Sequence, residues 1–264
     1  MLGMLQSLWS YRHFVITSIR NDFFSRFARS KLGGGWLILN PLAQVMIYAF
    51  ILSNLLASRI PDLPETYGYA IYLMSGLLAW NLFSEVLDRC LKVFVNNANI
   101  IKKMNFPRIT LPVIAIGSAL LNNIILFIVM IFIFFLLGHE ITLSMISIII
   151  MAPVVAVMGA GIGIILGVFN VFIRDVEQVV PIIMQIAFWF TPIVYPASVI
   201  PEKYAYYLEM NPMFKMVRYY HEAIVYQRYP PFENIFILMM LALSVGAISI
   251  ALFRRANSDM VDVL

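Results

Sequence analysis

The stretch "NVFIRDVEQVVP", Asn170 to Pro181, decides the fold, because it sets three charges between two long apolar runs. Arg174, Asp175 and Glu177 cannot lie in hydrocarbon without partners. The segment therefore reads as a short turn between two helices, with Asp175 and Glu177 at the start of the second. There the exposed backbone N–H groups favour negative charge. The simplest use of such a segment is a capped hairpin.

Working outward, the runs on either side are too long and apolar for a soluble core. Of 264 residues, 62% are hydrophobic and 12% charged. A soluble globule of this size needs more polar surface. Uninterrupted runs, rather than alternating ones, make the chain a helical membrane protein and exclude a barrel. The expected fold is all-α and polytopic. Spans of roughly 20 apolar residues fall at about 36–57, 69–87, 111–137, 143–172, 179–195 and 232–253, six in number.

Lysine and arginine sort between the connecting segments. Thirteen lie in residues 1–35, in the loop after the second span, at Arg174 and after the sixth span; five lie opposite. The positive-inside rule puts both termini in the cytoplasm. Residues 1–35 form a cytoplasmic interface element, 36–253 a single transmembrane domain with an external hairpin at 196–231, and 254–264 a cytoplasmic tail. No cleavable secretory pattern opens the chain. Cys90, the single cysteine, allows no intrachain disulfide.

From Met4 to Ser30, Leu5, Trp9, Ile16, Ile19, Phe23 and Phe27 recur at helical steps, with Arg12, Arg20, Arg26 and Arg29 between them. That pattern predicts an amphipathic helix in the membrane plane, with an Asp22–Arg26 pair. "KLGGGW" then breaks the helix. The loop from Arg89 to Arg108 predicts one short helix stopped before Pro107. Ile100 and Ile101 are expected to pack away from solvent beside Lys102 and Lys103. The loop reads either as a basic lipid contact or as a docking knob for a soluble partner. Glu85–Arg89 and Asp88–Lys92 are i,i+4 pairs at a helix end.

From Tyr195 to Pro231 lie five prolines and eight of the 13 tyrosines. Two short helices are expected, Pro201 to Glu209 and Pro212 to Tyr226, the second capped by Asn211. Too short to span, they are interfacial or re-entrant. Their tyrosines, with Phe188, Trp189 and Phe190, are either belt residues or a surface for sugar rings.

Gly159, Gly163 and Gly167 form a small-residue stripe on the fourth span, for packing within a subunit or, less favoured, between subunits. Asn122, Asn123, Gln44 and Asn81 should face other helices or a wet path. Charge is absent from the span centres, which argues against a proton-coupled pump. His13, His139 and His221 fall in separate segments, so no metal site is expected. No phosphate-binding Lys-Ser/Thr loop is present, so ATP hydrolysis must belong to a partner.

The blocks "RSKLGGGWLILNPL" (Arg29 to Leu42), "FIRDVEQVVPIIMQIAFWFTPIVYP" (Phe172 to Pro196) and "NPMFKMVRYYHEAI" (Asn211 to Ile224), in order across essentially the whole chain, resemble the membrane (permease) subunits of ABC exporters of O-antigen, capsular polysaccharide or teichoic acid. The resemblance implies a homodimer in the bacterial inner membrane, bound to two copies of a separate ATPase that carries ATP and Mg. It implies an ATPase-coupling segment at Ile100, Ile101, Lys102, Lys103 and Asn105, with Arg174 and Asp175 near the same contact. It implies re-entrant gate helices and a glycan on a polyprenyl diphosphate lipid. Arg26, Arg29 and Lys31 would meet the diphosphate, or ordinary lipid. Phe188, Trp189, Tyr195, Tyr219, Tyr220 and Tyr226 would line the glycan path or gate. The competing readings are an ABC permease for another cargo (teichoic acid, lipid, a haem-like molecule or drug), a membrane enzyme on lipid-linked sugars, and a passive scaffold. No nucleic-acid partner is implied.

Overall fold

The computed structural model describes residues 9–25, 30–47, 67–103 and 106–263. Among these the chain is helical, with no strand. The elements in order are α1 (Arg12–Ser25), α2 (Trp36–Ile47), α3 (Gly68–Asn96), α4 (Ala98–Lys103), α5 (Thr110–Leu136), α6 (Ile148–Phe172), α7 (Val176–Phe190), α8 (Glu202–Met210), α9 (Pro212–Tyr220), α10 (Phe232–Ala256) and α11 (Asp259–Val263). Four helices are long and apolar enough to cross a membrane: Gly68–Asn96, Thr110–Leu136, Leu143–Phe172 and Phe232–Ala256.

Of the six expected spans, the first is described only in part and the fifth is shorter than expected. Only Trp36–Ile47 of the first lies among the described residues. The fifth, expected at 179–195, is the 15-residue helix Val176–Phe190. It stops because Thr191 precedes Pro192, whose ring drives the preceding residue out of the helical region; Thr191 has φ −101° and ψ 125°. At 1.5 Å per residue this helix is roughly 22 Å long, short of the ~30 Å hydrocarbon layer.

The second span grows instead, running past the expected Leu87 to Asn96. Its last turns carry the Arg89–Glu85 and Lys92–Asp88 pairs, at 3.0 and 2.6 Å, which hold a helix that has left the apolar layer. This helix is the centre of the bundle: 78% of its apolar window is buried, against 67% for Leu143–Phe172, 28% for α5 and 17% for α10. So α3 and α6 form the core, and α5 and α10 are the outer helices.

The glycine stripe explains how α3 and α6 meet. A Cβ on Gly159 would lie 2.9 Å from the Phe83 carbonyl oxygen, one on Gly163 2.7 Å from that of Leu87, and one on Gly167 2.5 Å from that of Cys90. The stripe is therefore a groove for the α3 backbone within the same subunit, the favoured of the two readings. Gly161, on the opposite face, admits Val245 and Gly246 of α10.

Helix α1 packs on α5, where Gly117 makes room for Ile19. Trp9, Phe14, Ile16 and Phe24 remain exposed. Asp22 pairs with Arg89 of α3 at 3.0 Å; the expected partner Arg26 lies outside the described residues. The "GGG" break is a tight turn, with Gly33 at φ +51°, a conformation that glycine adopts without a Cβ clash.

Candidate functional site

One end of the bundle gathers the residues expected to couple to a partner. The helix α4 follows α3 directly, after Asn97. Asn170, at the end of α6, donates to the Leu91 carbonyl at 3.4 Å, so the turn 173–175 lies at the α4 end. Arg174 and Asp175 are exposed there. Asp175 occupies the N-cap position of α7 and Glu177 its first turn, yet no side chain caps the helix; the capped-hairpin reading holds only for the position of the charges.

Within α4 the two isoleucines part company. Ile101 is 5% exposed and belongs to the core, whereas Ile100 is 41% exposed, contrary to the expectation that both turn inward. Successive residues of a helix point about 100° apart, so one face cannot bury both. Lys102 is exposed. The Lys103 side chain, Asn105, Arg26 and Arg29 lie outside the described residues, and Lys31 is exposed.

Behind α4 sits a groove of about 420 Å³ between α1, α3 and α5, lined by Phe14, Asp22, Arg89, Lys92 and Ile100 among others. Arg89 joins three elements: it bonds Asp22 of α1 and Glu85 of α3, both at 3.0 Å, and Glu85 accepts from Asn122 of α5 at 3.0 Å. The cluster links elements far apart in sequence. Only its Glu85–Arg89 spacing was a local signal. Asn123 donates to the Leu78 carbonyl at 3.0 Å, so both asparagines of α5 face another helix; Asn81 is exposed instead.

At the other end the hairpin of residues 196–231 folds back against α3. Asn211 caps α9, its Oδ1 accepting from the Met213 N–H at 2.9 Å with Pro212 in the first turn. The Asn211 amide also donates to Thr191 Oγ1 at 3.3 Å, which ties α9 to the end of α7. Losing a cap costs about 1 kcal/mol. Asn211→Ala should lower thermal stability by that order in purified protein, and Asn211→Ser should restore it; an unchanged melting curve for Asn211→Ala would show the cap to be idle.

Beyond Tyr220 the helix widens into a π-turn, His221–Val225. It is pinned by His139 Nε2 on the Ile224 carbonyl at 2.7 Å and by the Ser144 hydroxyl donating to the Ala223 carbonyl at 2.8 Å. His221 stacks on Tyr72 with ring centroids 3.8 Å apart, and Gly76 provides the clearance. Burial lowers the His221 pKa and keeps the ring neutral. Gly76 lies eight residues into α3, so the hairpin dips roughly 12 Å along that helix. The hairpin therefore packs alongside the first turns of α3.

The aromatic residues expected on a glycan path divide. Tyr219 and Tyr220 are 3% and 0% exposed and pack in the core of the chain. The reason is periodic: Met213, Met216, Val217, Tyr220 and Ile224 recur at three or four residues and form the buried stripe of α9. Phe188 turns inward onto Trp80, with centroids 5.5 Å apart. Tyr226 is half-buried. Trp189 and Tyr195 do line an open cleft, of about 750 Å³, together with Phe190, Ile200, Tyr204, Tyr207 and Asn211. The Tyr195 hydroxyl donates to the Trp189 carbonyl at 2.7 Å, and burial raises its phenol pKa.

The bundle thus presents a polar end with an exposed knob and an opposite end with an aromatic cleft. Its relatives have matching extent. An O-antigen export system permease protein RfbA of Klebsiella pneumoniae is 31% identical over 251 residues, 95% of this chain and 93% of that protein. A protein of the same name from Myxococcus xanthus is 25% identical over 98% of this chain and 95% of its own. The polysialic acid transport protein KpsM of Escherichia coli is 25% identical over 90% of this chain and 91% of its own. The family model for the ABC-2 type transporter matches residues 14–225, from α1 through the π-turn. The chain belongs to the ABC-2 type transporter family.

Proposed function

We propose that this chain is the transmembrane subunit of an ATP-driven exporter that carries a lipid-linked, O-antigen-like polysaccharide from the cytoplasm across the inner membrane. ATP hydrolysis resides in a separate subunit. The observation that carries this reading is the likeness, across nearly the whole chain, to permeases named for O-antigen export. The geometry agrees in sense: an exposed knob for a motor at one end and an aromatic cleft for sugar faces at the other. The positive-inside rule turns the α4 end, with both termini, toward the cytoplasm.

Two copies of the chain would join two copies of the ATPase. The outer face of α7 supports a seam for the second copy, since Val179, Ile182, Ile183, Ile186 and Phe190 are all exposed on that one short helix. Ile100, Lys102, Lys103 and Asn105 would enter the ATPase, with Arg174 and Asp175 beside them. Arg26, Arg29 and Lys31 would receive the diphosphate of the lipid carrier. Trp189, Tyr195, Tyr204 and Tyr207 would pass the glycan outward.

The test is co-purification with the ATPase, followed by surface glycan after deletion of this chain. Ile100→Asp places a charge on the exposed knob. It should reduce ATPase recovered with the membrane subunit by about tenfold, the equivalent of one lost apolar anchor, while membrane levels stay normal. Full recovery of the ATPase with Ile100→Asp would remove α4 from the contact. Surface glycan undiminished by the deletion would remove the export reading itself.

A further inference from the structure

A second charged pocket lies at the α4 end, where the start of α5 meets the end of α10. It has a volume of about 390 Å³ and is lined by Phe106, Pro107, Arg108, Ile109, Phe253, Arg254 and Asn257. Two arginines line it and no carboxylate does. Arg108 is already oriented: its Nη1 donates to the Asn257 backbone carbonyl and, at 2.9 Å, to the Asn257 side-chain oxygen. Among the described residues neither Arg108 nor Arg254 has an acidic partner. The nearest acid along the chain, Asp259, accepts from the Ser258 hydroxyl at 3.1 Å and does not line the pocket. Donors therefore face an open space with no counter-charge.

We propose that Arg108, Arg254 and Asn257 form a binding site for the phosphate of an anionic phospholipid headgroup. Arg108 Nε and Nη2, the Arg254 guanidinium and the Asn257 amide N–H groups are the donors; a phosphodiester matches their charge and fork geometry. Phe106, Ile109 and Phe253 form an apolar floor beneath, suited to the glycerol carbons below a phosphate.

Position favours a lipid over an acidic protein surface. The pocket joins the ends of α5 and α10, the two spans least covered by the rest of the chain, with 28% and 17% of their apolar windows buried. Ile248, exposed on α10, lies less than two turns before Arg254. An acyl chain running along these helices would bring its headgroup to this place. Basic pockets between transmembrane helices at headgroup level bind anionic lipids. The site does not depend on the cargo or on which leaflet the end faces, since both leaflets contain phosphodiesters.

The experiment uses the full chain with its ATPase partner in nanodiscs of equal phosphatidylglycerol and phosphatidylcholine, released into native mass spectrometry. Phosphatidylglycerol should be retained preferentially. Each arginine near a membrane surface contributes about fivefold, so Arg108→Gln with Arg254→Gln should lower that retention by roughly twenty-five-fold, and Lys203→Gln should not. Equal retention of the two lipids by the unaltered protein overturns the proposal without any variant. So does undiminished retention by the double variant. Should the double variant fail to assemble, Arg254→Gln alone, at an exposed residue, gives the fivefold reading. Displacement of the lipid by millimolar inorganic phosphate would assign the site to free phosphate and overturn the lipid.

Discussion

Gly163→Leu should empty the membrane of folded protein. A Cβ at this position would lie 2.7 Å from both the Leu87 carbonyl oxygen and the Cys90 Cβ, and 3.0 Å from the Leu87 Cα. Two of those atoms are backbone of the central helix and cannot rotate aside. The α3–α6 pair is the most extensive contact in the bundle, so the helices must separate along their length to admit a side chain. Overpacking of a tight core costs roughly 1–3 kcal/mol, and rigid backbone on one side puts this case at the top of that range or above. Protein recovered from membranes by immunoblot should fall to a small fraction of normal, and the remainder should melt early. Gly34→Ala is the matched control, because nothing lies within 4 Å of its Cβ position. Normal yield of Gly163→Leu would mean that α3 and α6 do not pack through the glycine groove.

Arg89→Ala should separate ATP hydrolysis from transport. This residue joins the interface helix, through Asp22, to the central span just before that span becomes the exposed knob of α4. Its removal takes the Arg89 cation from both Asp22 and Glu85, while Asn122 still donates to Glu85. Breaking a fully buried pair costs about 3–5 kcal/mol; partial exposure of Arg89 and Asp22 reduces this to about 1–2 kcal/mol, so the protein should still fold. A loosened joint of that size corresponds to an export rate about tenfold lower. ATP hydrolysis by the assembled complex should fall much less. Asp22→Asn should reproduce most of the defect, and Arg89→Lys should recover part, since lysine keeps the charge and loses the two-pronged geometry. Hydrolysis and export falling in equal proportion would reduce the cluster to a structural clamp.

Much of the fold was legible because the bilayer imposes a simple rule. A backbone in hydrocarbon must satisfy itself, so a long apolar run means a helix. The spans at 111–137 and 232–253, the break at "GGG", the Asn211–Pro212 helix start and the Glu85–Arg89 and Asp88–Lys92 pairs were all local statements, and each holds. The helix of the fifth expected span ends at Phe190 rather than at 195, because Thr191 precedes Pro192. Composition gives a dense tyrosine loop, but which of its tyrosines are buried follows from the periodicity of α9.

Sequence by itself determined the class, the four long apolar helices, the turn at Arg174 to Glu177 and the hairpin's two short helices. These depend on hydropathy and on interactions within a few residues. Only the tertiary structure decided that the glycine stripe of α6 receives the α3 backbone, that Arg89 reaches Asp22, that Ile100 is exposed while Ile101 is buried, and that Arg108 and Arg254 share a pocket without a carboxylate. The cause is that lipid tails are as apolar as the side chains they touch, so hydrophobicity tells a span that it must be buried in something apolar but not in what. Which face meets protein is set by close packing and by polar contacts between residues distant in the chain, and those exist only once the helices have come together.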